Sequence, residues 1–414
     1  MSRVARPLRR AAVPGAALAP ALGAALALSL AAAVPRAARA QALDPRGYYL
    51  NVFSYEGSSP YGPDGALDLQ RLRLMLDPRL GPATLDVAYE HTLRWSQRAG
   101  ASPALVPGGV ARAPQDWMKL DWTLASGAHA AWRHRLDRLS ASVPLGPSAE
   151  LTVGRQAISW ATTLLFTPTD PFAPFDPSDP FREYRAGVDA ARLQYFAGPF
   201  TTADLVVRPE DTPGGHRVTA LVRGGTRLSS WDLSAWAGAL HGEPAVAAGA
   251  DRSLGGWAVR ADATLRREVG GGAVLRAAAG ADRRFSLAGR DLHLVGEVQH
   301  DGFGAADPSG YAGVLASRAY RRGELQALGR DEALAQASWQ VHPLVSGELL
   351  VIVNLHDAST LLAPAVTASV TDDVSARLGL YLSAGHGGVR PGGTPRSEYG
   401  AVPTYLYLSL TAFF

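Results

Sequence analysis

The chain has 414 residues, with 40 Lys and Arg against 37 Asp and Glu, and it contains no cysteine. The lack of cysteine excludes a disulfide framework and a thiolate metal site. The net charge of +3 is small, and Arg is spread along the chain among acidic residues, which argues against a nucleic-acid-binding surface. Lys119 is the only lysine. A codon preference and a functional need for guanidinium groups explain that bias equally well.

The N-terminal segment has the features of an export signal. Four arginines precede an apolar, alanine-rich run at 16–34, and Ala-Arg-Ala at 38–40 offers a cleavage site. The run contains a proline and is followed by that site, so it is a poor membrane anchor. We expect residues 1–40 to be a secretory signal peptide and residues 41–414 to form a single domain.

Beyond this segment the apolar residues alternate with polar ones, and no apolar run is long enough to cross a bilayer as a helix. Segments of about ten alternating residues recur, which is typical of outer-membrane barrels. In one of them Val259 and Leu265 fall on one face, and Arg260 and Arg266 fall on the other. The pattern predicts an all-β fold, a transmembrane antiparallel up-and-down β-barrel of about 18 strands, with 16 as the alternative.

The connections between the predicted strands support this architecture. Short connections such as 146–148 all fall on one side, whereas the long segments 96–133, 161–187, 301–331 and 386–402 fall on the other. Bacterial barrels have short periplasmic turns and long extracellular loops. The first predicted strand begins within a few residues of the expected cleavage site, which leaves no room for an N-terminal plug domain and favours an open pore.

The charged face of each strand should point to the lumen. A charged side chain at the bilayer midplane costs about 2 to 4 kcal/mol, which fixes the strand register. The residues predicted to line the pore are Arg71, Arg73, Arg138, Arg192, Arg208, Arg223, Arg260, Asp262, Arg266, Arg276, Asp282, Glu297 and Arg377. Because arginines outnumber carboxylates among these residues, the sequence predicts a modest preference for anions. In the alternative interpretation, Arg and Asp pair between neighbouring strands and only stiffen the wall.

Residues 166–187, FTPTDPFAPFDPSDPFREYRAG, form the most distinctive stretch. Its prolines exclude a helix and a strand ladder, so it is a loop. It either folds into the lumen and narrows it, which would bury its phenylalanines, or caps the barrel mouth. The candidate constriction residues are Asp170, Phe172, Phe175, Asp176, Asp179, Arg182, Glu183 and Arg185. Its aspartates could bind calcium, but the glycine and terminal Glu of a dedicated loop are missing, so we predict no metal site.

The last ten residues alternate strictly and end in Phe414, as in bacterial outer-membrane barrels, although Ala412 stands where an aromatic is more common. The proline-rich loop and its flanks, Gly154-Arg155-Gln156 and Val188-Asp189-Ala190, resemble porin-like barrels of the alginate-export type and related families. The resemblance implies a bacterial outer membrane, with the lipid bilayer and lipopolysaccharide around the protein. It further implies that Phe414 is the signal for the outer-membrane assembly machinery.

The sequence thus predicts a channel, and not an enzyme, that passes small polar, anionic solutes without a cofactor. One alternative is a receptor or structural barrel that does not conduct. Another is a hydrolase in the barrel wall, for which histidines are available. These are His241, His293, His300, His342 and His356, and none of them lies in a nucleophile or metal motif. The solute, the pore radius and the oligomeric state are left open.

Overall fold

A computed structural model describes residues 44–99, 115–172, 179–181, 183–212, 215–268 and 271–414, and the predicted signal peptide lies outside them. The described strands form one antiparallel sheet. They are β1 (Arg46–Glu56), β2 (Gly65–Leu76), β3 (Arg79–Leu80), β4 (Ala83–Ser96), β5 (Asp121–Ser126), β6 (Ala130–Pro144), β7 (Ala149–Gln156), β8 (Val188–Phe196), β9 (Thr202–Thr212), β10 (Gly215–Leu228), β11 (Trp231–Leu240), β12 (Glu243–Leu254), β13 (Trp257–Arg267), β14 (Ala273–Leu287), β15 (Arg290–Asp301), β16 (Asp331–His342), β17 (Val345–Asn354), β18 (Thr360–Ser369), β19 (Val374–Ala384) and β20 (Tyr405–Phe413). Between β15 and β16 lie the 3₁₀ turn Pro308–Gly310 and two short helices, α1 (Tyr311–Ala316) and α2 (Arg318–Arg321). None of the described helices is long and apolar enough to span a membrane.

The sheet closes into a barrel because its first and last strands pair. β1 and β20 are antiparallel from Tyr48 opposite Phe413 to Glu56 opposite Tyr405. Below that ladder, Gly47 N donates to Phe414 O at 2.9 Å, and Phe414 N donates to Gly47 O at 3.1 Å. Within the described residues, 18 strands make up the closed barrel, while β3 and β5 are short additional strands. The predicted fold class is confirmed.

Side-chain burial follows the predicted alternation. Along β20, Leu406 and Leu408 are 46% and 47% exposed, whereas Tyr405 and Tyr407 are buried. Leu265 is likewise exposed beside the buried Arg266 on β13. In a closed sheet only one face can hold charges away from lipid, so the exposed apolar face is the exterior.

The two ends of the barrel differ as predicted. At one end, connections such as 229–230, 255–256 and 288–289 are two-residue turns. The long connections 157–187, 302–330 and 385–404 all lie at the opposite end. This sorting matches short periplasmic turns and long extracellular loops.

One segment departs from the prediction. Residues 96–133 were expected to be an external connection throughout, but β5 joins the wall by pairing with the upper half of β6. Just before it, Asp116 forms a bridge with Glu210 of β9. β7 and β8 stop short at Gln156 and Val188, so this added segment fills the wall above them. Wall strands in lipid need every backbone group paired, which is why a substitute strand is required there.

Candidate functional site

The chain that leaves β7 enters the lumen. Ile158, Trp160 and Phe172 are buried, and they share an apolar cluster with Leu221 of β10 and Trp236 of β11 on the inner wall. The Trp160 and Phe172 rings meet edge to face, with centroids 4.8 Å apart. The described part of the proline-rich loop therefore buries its aromatic side chains inside the barrel, and does not cap it from outside.

Two carboxylates on the far wall hold this segment. Glu297 of β15 accepts the backbone N–H groups of Leu164, Leu165 and Phe166 at 2.7, 2.9 and 2.7 Å. On β13, Asp262 Oδ2 accepts Thr162 N at 2.9 Å and also the backbone and hydroxyl of Thr163. Backbone donors of a loop that crosses a lumen have no ladder partner, so these carboxylates satisfy groups that would otherwise be unpaired.

Some of the predicted constriction residues lie outside the described residues, some are buried inside the barrel, and one is exposed. Phe175, Asp176 and Arg182 lie outside the described residues. The structure brings Asp170 into the segment's interior, where its Oδ2 accepts Ser159 Oγ and Arg185 Nη1, each at 2.9 Å. Phe172 is buried as described, whereas Glu183 is exposed.

The far end of the loop is attached to the near wall. Arg71 Nη1 of β2 donates to the Phe181 carbonyl at 2.9 Å, and the Phe181 ring packs edge to face on Tyr407 at 4.8 Å. Asp179, another predicted constriction residue, accepts Phe181 N at 2.9 Å. Both ends of the described loop are thus held against inner-wall side chains.

All of the predicted pore-lining residues lie on the inner side of their strands. Most of these arginines are paired with carboxylates, which offsets their charge without removing them from the inner face. The pairs are Arg73 with Asp137 at 2.8 Å, Arg192 with Asp204 at 2.8 Å, Arg276 with Asp301 at 2.8 Å, Arg377 with Glu348 at 2.6 Å, Arg138 with Asp137 at 2.6 Å, Arg208 with Glu210 at 3.5 Å, Arg223 with Asp204 at 3.7 Å, and Arg260 with Asp282. Adjacent opposite charges therefore neutralise much of the wall, as the alternative interpretation expected. The role of these residues in conduction stays a prediction.

A second connection, 302–330, also reaches into the barrel. Gln326 Nε2 donates to Leu165 O at 3.0 Å, and Thr167 N donates to Gln326 Oε1 at 2.7 Å. This reciprocal pair joins the second connection to the loop from β7. The sequence carries no signal for it, because a lone glutamine in a long connection is compatible with any surface.

Glu324 fixes the same connection to the wall. Its Oε2 accepts Arg266 Nη1 at 2.5 Å, and its backbone carbonyl accepts Arg276 Nη2 at 2.8 Å. Burial alone would raise the pKa of Glu324, but Arg266, His241 and the neighbouring guanidinium groups lower it to about 2. Glu324 is therefore charged across the physiological range and is buried among cations.

The third long connection, 385–404, is tied to the second by Glu398. Its Oε2 accepts Gly329 N and Asn354 Nδ2, both at 2.8 Å. The next residue, Tyr399, donates its hydroxyl to the buried Glu332 at 2.7 Å. Glu398 and Glu332 were not predicted, since nothing near either residue in the sequence marks a buried carboxylate.

A basic cavity opens at the long-connection end. It has a volume of about 470 Å³ and is lined by His386, Gly387, Arg390, Pro391 and Arg396. No acidic side chain lines it within the described residues. This cavity differs from the inner wall, where most of the arginines have a carboxylate partner.

The histidines give no support to a hydrolytic site. His241 Nδ1 contacts Glu210 Oε2 at 2.6 Å, and its Nε2 faces Glu324 at 3.5 Å. A nucleophilic triad needs a hydroxyl where Glu324 stands. His300 and His356 each contact Asp331 at 2.7 Å. In the described part of the chain, no group of three His, Asp or Glu side chains could hold a metal ion.

No family model and no curated protein matches the chain. Solved structures do match it. OccAB1 of Acinetobacter baumannii aligns with a TM-score of 0.56 at 8% identity, over 91% of this chain and 97% of that one. This chain has a porin fold. A BenF-like porin of Pseudomonas fluorescens Pf-5 gives 0.52 at 10%, over 90% and 98%. OpdK of Pseudomonas aeruginosa, solved with vanillate, gives 0.51 at 11%, over 90% and 98%. The prediction of a porin-like β-barrel is confirmed by this fold.

Proposed function

We propose that the protein is a passive outer-membrane channel for small polar, anionic solutes. The observation that carries the proposal is the anchored crossing of the lumen by residues 157–172. A closed barrel with an apolar exterior needs no such internal crossing to be stable, but a channel that selects among solutes needs a narrow point. The anchors Asp262 and Glu297 keep the crossing chain at a fixed place in the lumen.

The anion preference is supported by two surpluses of positive charge. Next to the crossing, Arg192 and Arg223 share the single carboxylate of Asp204, and each keeps about a fifth of its side chain exposed. At the mouth, Arg390 and Arg396 line the basic cavity. Unbalanced guanidinium groups along a path concentrate anions there, because the field is stronger between low-dielectric walls.

A bilayer measurement tests the proposal. The purified protein is inserted into a planar bilayer under a KCl gradient, and the reversal potential is measured together with the single-channel conductance. The expected sign is that of an anion-preferring pore. Vanillate, the aromatic carboxylate in the OpdK structure, is the first solute to add as a blocker of the chloride current.

Matched variants assign the charge effect to particular arginines. R192Q/R223Q should lower the anion preference, and so should R390Q/R396Q. The control is R267Q, because Arg267 is exposed on the exterior face near the same end of the barrel. A cation-selective reversal potential in the unmodified protein, or equal shifts in R267Q and the two double variants, would contradict the anionic part of the proposal.

A second candidate, a receptor barrel that does not conduct, is favoured by one observation. Gln326 and Glu398 join the connections 302–330 and 385–404 to each other and to the crossing chain, so three segments occupy the extracellular half. If folded protein inserts repeatedly and no current steps appear, this candidate replaces the channel. The lipopolysaccharide and assembly-machinery partners stay predictions, as does Phe414 as the assembly signal.

A further inference from the structure

Arg252 and Arg283 are strand arginines that face away from the lumen, as Arg267 does nearer the other end of the barrel. On β12, Arg252 shares a face with Val246 and Leu254, which are 49% and 42% exposed. On β14, Arg283 shares a face with Leu275 and Leu287, which are likewise exposed. Alternation along a strand is strict, so both arginines lie on the apolar exterior. Charge on that exterior requires an explanation of its own.

Each of these arginines is stacked on aromatic rings. The guanidinium carbon of Arg252 lies 5.5 Å from the centre of the Trp231 ring. That of Arg283 lies 5.7 Å from Trp257 and 5.0 Å from Phe285, whose rings meet edge to face. No carboxylate within the described residues forms an ion pair with either arginine, and Arg252 Nε has no hydrogen-bond partner there. Arg252 Nε is itself buried, so the rings orient the guanidinium group and leave its terminal N–H groups, which no described ion pair occupies, to face the exterior.

Both groups lie at the end of the barrel with the short turns. Arg252 is the third residue from the end of β12, just before the turn 255–256. A Cβ on Gly256 would lie 3.7 Å from Arg283 Nε, so Arg283 reaches down to that turn. Long basic side chains near a strand end extend towards the interface, and aromatic rings mark its level. The two guanidinium groups are therefore at the headgroup level of one leaflet.

We propose that Arg252 and Arg283 each bind the phosphate of an anionic glycerophospholipid in the periplasmic leaflet. The planar guanidinium fork matches phosphate oxygens in a bidentate geometry, and a cation without a carboxylate partner complements an anionic headgroup. The inference rests on the outer-membrane location and not on what the barrel conducts. An arginine–aromatic girdle that only anchors the barrel at the interface would bind anionic and zwitterionic lipids equally well. A preference for anionic lipid therefore distinguishes a phosphate site from such a girdle.

Lipid retention tests this site. The protein is purified in neutral detergent with equal amounts of phosphatidylglycerol and phosphatidylcholine, washed, and the retained lipids are quantified by mass spectrometry. We expect retention of phosphatidylglycerol over phosphatidylcholine, with a loss of about fivefold for each arginine replaced by glutamine. R252K/R283K keeps the charges without the fork and should fall between the unmodified protein and R252Q/R283Q.

The control is R284Q, because Arg284 adjoins Arg283 in sequence but lies opposite His293 on the inner face. It should retain phosphatidylglycerol like the unmodified protein. Equal retention in R252Q/R283Q, or an equal loss in R284Q, overturns the proposal. The shift of folded barrel on unheated gels shows that each variant folds. Conductance in bilayers without phosphatidylglycerol should be unchanged in R252Q/R283Q, so failure of the channel proposal leaves this test intact.

Discussion

The crossing chain, residues 157–172, leaves the wall at β7 and β8 and binds the opposite wall at β13 and β15. We call these two parts of the wall the releasing side and the receiving side, and they are built differently. On the releasing side β7 and β8 stop short, and the substitute segment is held by a buried ion pair. Arg155 Nε contacts Asp189 Oδ1 at 2.7 Å, Arg155 Nη2 donates to Met118 O at 2.6 Å, and Asp189 Oδ2 accepts Met118 N at 2.8 Å. On the receiving side the ladder is continuous, and it offers Asp262 and Glu297 to the chain.

The difference shows that the buried charges serve two purposes. Arg155 and Asp189 replace part of a missing strand ladder, and their side chains are 0% and 3% exposed. Removing one partner would leave a buried charge uncompensated. Asp262 and Glu297 only satisfy the amides of a loop, which can move and find water if they are lost. We therefore expect changes on the releasing side to affect the whole barrel, and changes on the receiving side to affect the pore.

The largest expected effect is that of R155L. Breaking a buried pair from one side destabilises by about 3 to 5 kcal/mol, so the unfolding midpoint in detergent should fall markedly and the yield of folded barrel should drop. The control is R192L, since Arg192 on the adjacent strand has a partly exposed pair with Asp204. Equal midpoints for the two variants would mean that the releasing side is no more dependent on charge than the rest of the wall.

On the receiving side, E297Q should release the crossing chain without unfolding the barrel. Glutamine keeps one acceptor oxygen where the carboxylate used two for three amides, and hydrogen bonds to a charged group are worth about 1.5 to 3 kcal/mol each. Single-channel conductance should rise, with more current noise in the open state. E348Q, which removes a lumen carboxylate paired with Arg377, serves as the control. Unchanged conductance in E297Q would show that another contact holds the chain.

D262N should have a smaller effect than E297Q. Asp262 accepts the amide and hydroxyl hydrogen bonds of Thr162 and Thr163 with Oδ2 alone. Its Oδ1 has no hydrogen-bond partner among the described residues. Asparagine can present one oxygen in the same place, at a loss of about 1 kcal/mol. D262A, which removes both oxygens, should approach E297Q in bilayer recordings. If D262N and D262A behave alike, the hydrogen bonds to Oδ2 do not hold the segment.

The smallest effect near neutral pH is expected from the titration of Glu324 in the unmodified protein, because this carboxyl stays charged there. Its pKa is lowered from 4.5 to about 2, so the stabilisation it gives to 302–330 is complete above pH 4.5 and is lost as pH falls towards 2. Current noise should therefore rise as the extracellular side is acidified through that window. E324Q removes the titrating group and should abolish that acid response. An equal response in E324Q would assign the titration to another group.

The sequence predicted the barrel because its constraints are local. Alternation at residues such as Leu406 and Tyr407, the length of each segment and the parity of the connections all follow from a wall between lipid and water. The substitute strand β5 was missed, because its need arises only where β7 and β8 stop. That stop depends on where the crossing chain finds its anchors, which is a property of the closed barrel.

The candidate site was predicted less completely. The two-residue alternation along β13 and β15 predicts that Asp262 and Glu297 point inward. It does not predict that their hydrogen-bond donors are the backbone amides of 162–166 and not nearby arginines. The same rule predicted that the arginines point inward, and the alternative interpretation foresaw Arg–Asp pairing between neighbouring strands without naming the partners. The contacts of Gln326 and Glu398 join segments far apart in the chain, so no local pattern could reveal them.

The seam between β1 and β20 has a consequence for biogenesis. The earliest strand to be made is hydrogen-bonded to the latest, so during export and insertion both sheet margins are bare, and either could pair with a foreign polypeptide. Joining ends so distant along the chain is entropically slow, whatever the speed of the hairpins between them. The unpaired edges of β1 and β20 should therefore need protection from other polypeptides until these two strands have paired.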